Sequence, residues 1–316
     1  MSAFDLLKLT PLPTHLMNEL QACYQVHDHG HLSDPTVLGR VTAMIGSSEM
    51  VVDAKLLATY PKVQLICVVG ESYENIDLDA VKAKQIVVRS TPGVANEDVA
   101  DLALGLVLSV IRKIPLADRF VRNSDWVEGA YSLSRKVTGA RMGLIGSQAL
   151  MQAIGKRAQG FDMSLAYFDQ SEDLVFSKQT GMRYFSDLTE MAKAIDVLVL
   201  CAQGQHAWSQ VVNAFVIDAL GANAYVINVG DPNLLEQGAL IKALQQKKLA
   251  GAGMDVFLGE PKIAPEWRVL PNAVLTPHIG ASTEGAQKAM SNLALTHLKA
   301  FFEHSQAPSG RPNLLP

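Results

Sequence analysis

The sequence predicts an α/β protein of two domains, each built on a doubly wound parallel sheet. Three observations predict this class: the length of the chain, its composition, and an alternation of short apolar runs with helical patterns. With 316 residues, the chain exceeds the roughly 250 to 300 residues at which a single hydrophobic core stops growing. Hydrophobic residues make up 48% of the chain and charged residues 18%, with a formal net charge of −4, which is typical of a well-buried α/β protein.

Nine short apolar runs are predicted to be strands. They are FDLLKL near residue 4, TAMI at 42, QLIC at 64, IVV at 86, MGLI at 142, LAYF at 165, VLVL at 197, YVIN at 225 and AVLT at 273. Strands that alternate with helices indicate parallel sheets made of βαβ units. In the second half, four segments carry apolar residues at the three- and four-residue spacing of crossover helices. They are 150–160, 187–194, 213–220 and 234–248.

The domain boundaries follow from two helix signals. Pro92 and Gly93 break the chain before a long helix, whose first turn holds the acidic residues Glu97 and Asp98 beside Asn96, where the helix dipole favours negative charge. The last helix, from about residue 282 to 304, follows the last strand of the second domain and is expected to cross back to the first. We therefore predict one domain over residues 95–284 and the other over 1–94 with 285–316. A small-molecule ligand is expected in a cleft between them.

Composition argues against several other classes of protein. The acidic residues are spread along the chain, so neither nucleic-acid binding nor a membrane surface is indicated. Charged residues interrupt the apolar stretch 99–114, which predicts a buried helix rather than a membrane span. The three cysteines, Cys23, Cys67 and Cys201, have no CxxC spacing, so neither a disulfide framework nor a zinc site is expected. With no secretory signal at the start of the sequence, we expect a cytoplasmic protein.

An altered dinucleotide-binding turn follows the MGLI strand. Residues 146–151 read GSQALM where a G-x-G-x-x-G turn is expected, so Gly146 is kept while Gln148 and Met151 replace the second and third glycines. The second glycine lets the backbone approach a pyrophosphate, and the third lets the helix pack closely on the strand. We expect the Gln148 side chain to occupy the space of the phosphate. The alternative is a shifted ligand pose, since methionine is adaptable and a helix N-terminus still offers N–H groups.

Six segments in this order resemble the D-isomer-specific 2-hydroxyacid dehydrogenases, most closely the glyoxylate/hydroxypyruvate reductases. They are YPKVQLICVVGESYENIDLDAVK (60–82), STPGVANEDVADLALGLVLSVIRKI (90–114), TGARMGLIG (138–146), VIDALGANAYVINVG (216–230), LAGAGMDVFLGEP (249–261) and LPNAVLTPHIGAST (270–283). The resemblance implies two Rossmann-like/flavodoxin-like domains, the cofactor domain being inserted into a smaller lid domain. It also implies NAD(P) as cofactor and a homodimer that pairs through the cofactor domain.

The resemblance also implies a catalytic set. In the family, a histidine exchanges a proton with the C2 oxygen of the substrate, a glutamate raises the pKa of that histidine, and an arginine binds the substrate carboxylate. The matching residues are His278 in TPHIG and Glu260 in GEP, while Asp231 stands at the position of the arginine. An aspartate repels the anion that a guanidinium would bind. The alternative role of His278 and Glu260 is packing and hydrogen bonding without catalysis.

The substrate-binding loop implied by the resemblance is Gly70, Glu71 and Ser72. There Glu71 adds negative charge, and Ser72 lacks the conformational freedom of the glycine that it replaces.

The implied cofactor-binding set combines the altered turn with later loops. It contains Gly146, Ser147, Gln148, Asp169, Cys201, Asp255, His278 and Gly280. Asp169 matches the acidic residue that binds ribose hydroxyls, with a turn or helix-capping role as its alternative. Asp255 matches the position that faces the nicotinamide amide. The loop after VLVL lacks the family's proline and reads Cys201, Ala202, Gln203, Gly204. Because the turn is altered, cofactor binding is expected to be weak or lost.

Two functional hypotheses remain open at this point. The chain is either a family member with weak or lost activity, or a non-catalytic relative that binds another ligand or pairs with another subunit. A third possibility is a divalent cation or an amine bound among Asp231, Glu71, Glu260 and His278. The histidine-rich segment 27–31 resembles a metal site, but a solvated surface loop is favoured there; no metal site is predicted.

Overall fold

The computed structural model describes residues 4–32, 34–202 and 208–305, with backbone only at 304 and 305. It divides into two compact units, one containing the described residues up to Ala95 and from Glu284 onward, the other containing those from Asn96 to Thr283. The described strands are β1 (Asp5–Lys8), β2 (Gln25–Asp28), β3 (Ala43–Ser47), β4 (Leu65–Val69), β5 (Val87–Arg89), β6 (Arg141–Gly146), β7 (Ser164–Phe168), β8 (Arg183–Phe185), β9 (Val197–Cys201), β10 (Tyr225–Asn228), β11 (Gly251–Met254) and β12 (Ala273–Leu275).

The described helices are α1 (Thr14–Cys23), α2 (Pro35–Leu38), α3 (Ala54–Thr59), α4 (Leu78–Ala83), α5 (Asn96–Ile111), α6 (Ile114–Arg122), α7 (Gln148–Gln159), α8 (Leu174–Thr180), α9 (Leu188–Ala194), α10 (Ala214–Leu220), α11 (Gln237–Gln245) and α12 (Glu284–Ser305). Short 3-10 turns lie at His29–His31, Asp125–Val127, Pro232–Leu234 and Pro265–Val269. Aspartate or asparagine side chains cap α3, α4, α8, α9 and α10 by accepting first-turn N–H groups, as these residues favour.

The first unit is a five-stranded parallel sheet in the order β2-β1-β3-β4-β5. Its apolar strands are buried, and Leu7, Ile66 and Val68 lie in one core cluster. Helix α12 packs on β4, where the buried Cys67 thiol approaches the Ala294 carbonyl oxygen at 3.7 Å. The last helix therefore returns to the first unit, as the sequence predicts.

The histidine-rich segment 27–31 is only in part the surface loop that its sequence favours. His27 and Asp28 belong to strand β2, and the His27 Nε2 atom forms a 2.7 Å hydrogen bond with Asp5 Oδ1. His29 Nδ1 bonds to the Tyr60 hydroxyl at 3.0 Å. The loop prediction is wrong for His27 and Asp28 because β2 pairs with the buried strand β1, which a run of polar side chains on an edge strand does not reveal. It is confirmed for His29–His31, which form an exposed 3-10 turn after the strand.

The second unit is a seven-stranded parallel sheet in the order β12-β11-β10-β9-β6-β7-β8. The chain starts in the middle of this sheet at β6, builds β7 and β8 on one side, and then returns to build β9 to β12 on the other. The strand order thus reverses between β6 and β9, where open α/β sheets bind their ligands at the carboxyl ends. Two doubly wound parallel sheets confirm the predicted fold class.

Helix α5 covers the second sheet. Its buried side chains include Val99, Ala103, Leu106 and Val110, and it packs on α7, β10 and β11. The buried helix predicted from residue 99 onward is therefore confirmed. Among the residues that the structure describes, no helix is long and apolar enough to cross a membrane. In the second unit, strands β8 and β11 and helices α6 and α8 lie outside the predicted elements. The helix predicted over 234–248 begins later, because residues 232–234 form a 3-10 turn before α11, and it ends at Gln245.

Candidate active site

A loop after β12 carries His278, and Asp255 at the end of β11 holds this loop in place. The Thr276 hydroxyl and the Ile279 N–H both donate to Asp255 Oδ1, at 2.6 and 2.9 Å. The Gly280 N–H donates to Oδ2 at 2.9 Å, and the His278 N–H donates to the Asp255 carbonyl oxygen at 2.9 Å. Asp255 is fully buried, so these donors replace water around its carboxylate.

The structure brings His278 and Glu260 together. The His278 Nδ1 atom lies 2.8 Å from Glu260 Oε2, while Glu260 Oε1 accepts the Phe257 N–H at 2.7 Å. Because an ionised carboxylate only accepts hydrogen bonds, Nδ1 carries a proton and Nε2 is the nitrogen left for proton exchange. The His278 side chain is 63% exposed, and its backbone φ of 54° lies in the sparsely occupied left-handed region. This loop therefore presents an oriented imidazole to solvent.

Asp231 caps the 3-10 turn that follows β10. Its Oδ1 atom accepts the backbone N–H of Asn233 at 2.7 Å and the Asn233 side-chain amide at 3.0 Å. Its own N–H donates to the Ala202 carbonyl oxygen at 2.7 Å, and its carbonyl oxygen accepts from Asn228 Nδ2 at 3.3 Å. The residue at the arginine position is thus an ordered N-cap, a role that aspartate favours.

The first glycine of the altered turn lies where β6 and β9 end side by side. A Cβ atom on Gly146 would lie 2.2 Å from the carbonyl carbon of Cys201 and 2.3 Å from the Ala202 nitrogen. Only glycine allows this approach at the reversal point of the sheet. The Cys201 thiol is completely buried, and burial raises its pKa. Cys201 therefore contributes packing at this position, while Gln203 and Gly204 lie outside the described residues.

Helix α7 begins at the altered turn with its first N–H groups uncapped by a side chain. Ser147 is the N-cap residue, but its hydroxyl makes no capping hydrogen bond. The Gln148 side chain donates to Asp173 Oδ2 at 3.1 Å. The Phe176 N–H, followed by this amide, holds the pKa of the Asp173 carboxyl below its usual value. At the third glycine position, Met151 is fully buried. The structure thus directs Gln148 toward Asp173 and Met151 into the core.

Asp169 follows β7, the neighbour of β6. Its Oδ1 atom accepts the N–H of Gln170 at 2.7 Å, and the Tyr184 hydroxyl donates to its carbonyl oxygen at 3.2 Å. Within the described residues, Oδ2 has no hydrogen-bond partner. The local bond is that of an aspartate in a turn, and the remaining oxygen is available to a hydroxyl group, so both roles considered for this residue fit its geometry.

The predicted substrate-binding loop lies at the carboxyl end of β4 in the first unit. The Gly70 N–H donates to Thr91 Oγ1 at 2.9 Å, and the Thr91 N–H donates to the Gly70 carbonyl oxygen at 2.8 Å. Glu71 and Ser72 follow, and both are partly buried. Thr91, which follows β5, therefore holds the first residue of this loop in place.

Three residues that support the site were not assigned roles from the sequence. The Thr276 hydroxyl donates a hydrogen bond to Asp255, and the Asn228 amide donates one to the backbone of Asp231. Asp173 accepts a hydrogen bond from the Gln148 side chain. A polar residue at the carboxyl end of an apolar run is the one signal that pointed to Asn228, the last residue of β10, and to Thr276, which follows β12. No group of three or more histidine, cysteine, aspartate or glutamate side chains in the described part of the chain has the geometry of a metal site.

Comparison with known proteins gives the family. The NAD binding domain of the D-isomer specific 2-hydroxyacid dehydrogenases matches residues 104–280. Hydroxyphenylpyruvate reductase of Plectranthus scutellarioides is 32% identical over 323 residues, with 100% of this chain and 99% of the relative covered. Glyoxylate/hydroxypyruvate reductase A of Arabidopsis thaliana is 32% identical over 307 residues, with 96% of this chain and 97% of the relative covered.

Solved structures agree with these relatives. A 2-hydroxyacid dehydrogenase from Ketogulonicigenium vulgare Y25 has a TM-score of 0.90 at 32% identity and covers 100% of this chain and 99% of its own. An NADPH-dependent glyoxylate/hydroxypyruvate reductase from Sinorhizobium meliloti, in complex with NADP and malonate, has a TM-score of 0.87 at 30% identity. The match covers 98% of this chain and 97% of the reductase chain. The resemblance read from the sequence motifs is therefore confirmed, and the chain belongs to the D-isomer specific 2-hydroxyacid dehydrogenase family.

Proposed function

We propose that this chain is a 2-hydroxyacid dehydrogenase homologue with strongly reduced reductase activity toward 2-oxo acids. The observation that carries the proposal is the ordered Asp231 carboxylate at the position of the family's carboxylate-binding arginine. Losing one charged partner of a buried pair costs about 2 to 5 kcal/mol. In rate terms this is roughly a thirtyfold to several-thousandfold loss, before any repulsion between the two carboxylates is counted.

The acid/base pair supports retained chemistry at the reacting carbon. His278 is held through Nδ1 by Glu260, and Glu260 is held by the Phe257 N–H. This chain of hydrogen bonds leaves Nε2 of His278 to give a proton to the C2 oxygen of a 2-oxo acid, or to take it back in the reverse direction. A nicotinamide cofactor, when bound, supplies the hydride. The pair can thus act as acid and base wherever substrate and cofactor are held beside it.

The residues of the altered turn can bind a dinucleotide, but more weakly than the turn with three glycines. The uncapped N-terminus of α7 offers N–H groups to a phosphate, and Asp169 Oδ2 can accept from a ribose hydroxyl. Gln148 brings a side chain to the turn, although its amide is bonded to Asp173. We therefore propose weak NAD(P) binding, in which Asp169 favours a free ribose hydroxyl and hence NAD over NADP.

Calorimetry and turnover test the two parts of the proposal separately. Titration with NADH and NADPH is expected to give weak saturable heat, with NADH the tighter ligand. Reduction of glyoxylate and hydroxypyruvate is expected to be barely measurable. If no heat appears up to about 10 mM cofactor, dinucleotide binding is lost, and the non-catalytic hypothesis replaces this one. If kcat/KM lies in the ordinary range of about 10⁴ to 10⁸ M⁻¹s⁻¹, the claim of reduced activity is wrong.

Substitutions at position 231 show which interaction is missing. Asp231→Asn keeps a good N-cap and removes the repelling charge, whereas Asp231→Arg also supplies the guanidinium, and Gln148→Gly can be added to it. We expect kcat/KM to rise in that order, by at least about thirtyfold for the arginine variants. Met151 is kept, because truncating a fully buried methionine costs about 2 to 5 kcal/mol. Asp218→Arg, at an exposed position on α10, is the matched control.

The proposal includes the pairing of two copies of the chain, because the segment 126–133, which follows α6, exposes large apolar side chains. Trp126, Val127 and Leu133 are 66%, 88% and 94% exposed, and such surfaces mark protein–protein contacts. We propose a homodimer that buries this segment. Sedimentation is expected to give a dimer for the wild type and a monomer for Trp126→Ser with Leu133→Ser, with Val51→Ser, another exposed apolar position, as control. A wild-type monomer would contradict the pairing.

A further inference from the structure

A cavity of about 330 Å³ lies at the amino ends of the strands of the second sheet. The candidate active site lies at the carboxyl ends of these strands. The cavity is lined by residues at the amino ends of the strands, including Val197 of β9 and Tyr225 of β10, together with Arg135, Lys136 and Thr138 of the segment before β6. Its volume is at the lower end of the range for small-molecule sites. The site proposed for substrate and cofactor uses the carboxyl ends of the same strands, so this cavity has no part in it.

The cavity carries uncompensated positive charge. Asp196 also lines the cavity, but its carboxylate forms an ion pair with Arg141. The backbone N–H and the Nε atom of Arg141 donate to Asp196 Oδ2 at 2.9 and 3.0 Å, and Nη2 donates to Oδ1 at 2.7 Å. The hydrogen bonds from Arg141 lower the pKa of Asp196, so this pair is neutral as a whole. Arg135 and Lys136 form no ion pair within the described ranges, and they give the lining a formal charge of about two positive units.

The polar side chains of the lining, apart from Asp196, can all donate hydrogen bonds. Arg135 is oriented by one bond, from Nη1 to the Asn223 carbonyl oxygen at 2.7 Å, which leaves its remaining N–H groups available. The Tyr225 residue is buried, and burial raises the pKa of its hydroxyl while Arg135 opposes the rise. The hydroxyl is therefore protonated near neutral pH. In the part of the chain that the structure describes, neither this hydroxyl nor that of Thr138 has a hydrogen-bond partner.

We infer that this cavity binds a small oxyanion with two or more negative charges, of the polycarboxylate or phosphate-monoester class. Arg135 and Lys136 supply the charge, and the hydroxyls of Tyr225 and Thr138 supply neutral donors. A ligand bound there rests on the amino ends of β9 and β10, whose carboxyl ends lead to the loops of Ala202 and Asp231. The inference does not depend on catalytic activity or on cofactor binding.

Calorimetry at low ionic strength tests the site, with citrate in one arm and glycerol 3-phosphate and inorganic phosphate in the others. The arm that gives saturable heat identifies the ligand class. Arg135→Gln with Lys136→Gln is expected to weaken binding at least about tenfold, the equivalent of 1.4 kcal/mol. Lys247→Gln with Lys248→Gln removes the same charge from two adjacent exposed positions and is expected to stay within about twofold. Added salt weakens binding by screening.

Three results would overturn the inference. The first is that no saturable heat appears up to about 10 mM ligand. The second is that both double variants weaken binding equally. The third is that NADH displaces the anion, which would place the anion at the altered turn before α7. If the Arg135 and Lys136 double variant does not fold, Tyr225→Phe serves in its place, because it removes one donor and leaves all charges unchanged. Sedimentation of each variant separates lost binding from a change in assembly.

Discussion

Replacement of Asp255 by asparagine tests whether this buried carboxylate organises the loop of His278. The carboxylate accepts three hydrogen bonds, from Thr276, Ile279 and Gly280. Asparagine is nearly the same size, so the change creates no cavity. It offers one oxygen where aspartate offers two, and its amide must face either the Gly280 N–H or the two donors on the other side. The substitution therefore changes hydrogen bonding and leaves packing almost untouched.

The magnitude follows from those three bonds. With the asparagine oxygen placed on Thr276 and Ile279, the Gly280 N–H loses its acceptor in a fully buried position, which costs about 1 to 3 kcal/mol. The two bonds that remain change from charged to neutral acceptors and each lose about 1 kcal/mol. Relief from burying a charge offsets part of this loss. We expect the free energy of unfolding of the second unit to fall by about 3 kcal/mol.

Urea unfolding followed by tryptophan fluorescence measures this effect in the correct unit. The three tryptophans of the chain, Trp126, Trp208 and Trp267, all belong to the second unit. Asp169→Asn is the control, because its carboxylate accepts one local hydrogen bond at a strand end, and we expect a change below about 0.5 kcal/mol. A loss of less than about 0.5 kcal/mol for Asp255→Asn would show that the carboxylate does not hold the loop.

Three further perturbations follow from the packing and titration of the described residues. Gly146→Ala is expected to cost about 3 kcal/mol, because its Cβ would meet the backbone of β9 at 2.2 Å; Gly105→Ala, in helix α5 with nothing within 4 Å of the added carbon, should instead stabilise by about 0.5 to 1 kcal/mol, and equal melting temperatures would contradict both. Burial lowers the pKa of His297, so the unfolded chain takes up the proton first and the free energy of unfolding falls as pH drops below about 6.5; His297→Gln should flatten part of this slope in urea titrations, and an unchanged slope would refute the assignment. The exposed Cys23 thiol should react with a thiol reagent at mildly alkaline pH, while the two buried thiols, whose pKa values are raised by burial, should react only after unfolding.

The fold was predictable from the sequence wherever a strand carries its own apolar signal. All nine predicted runs lie on strands of the two sheets. Strand β11 was missed because three of the four residues in its sequence, GAGM, are glycine or alanine and only Met254 is large and apolar. The reason is its position under α5, since a Cβ on Gly253 would lie 3.0 Å from the Leu106 Cβ atom. Small residues there let the helix pack on the sheet, and this requirement is visible only in three dimensions.

The candidate site was predictable to the extent that its motifs are local. The family resemblance of the segments TPHIG and GEP identified His278 and Glu260, which the structure places 2.8 Å apart. The bond between Gln148 and Asp173 was not predictable, because it joins residues that follow two neighbouring strands, β6 and β7, and thus depends on strand order. The three bonds of Asp255 likewise depend on the pairing of β11 with β12.

The acid/base pair and the residue at the arginine position rest on separate supports. His278 depends on Glu260 and on the loop held by Asp255, whereas Asp231 depends on Asn228 and Asn233. Among the described residues, no side-chain hydrogen bond joins these two networks. They meet in the backbone, where the Asp255 N–H donates to the Asn228 carbonyl oxygen at 2.9 Å, and a side-chain change at position 231 does not remove that bond. We therefore expect a change at position 231 to leave the imidazole and its carboxylate where they are, so that the residue at this position can vary while the pair persists. For the same reason, a guanidinium restored at position 231 would meet an acid/base pair that is already oriented.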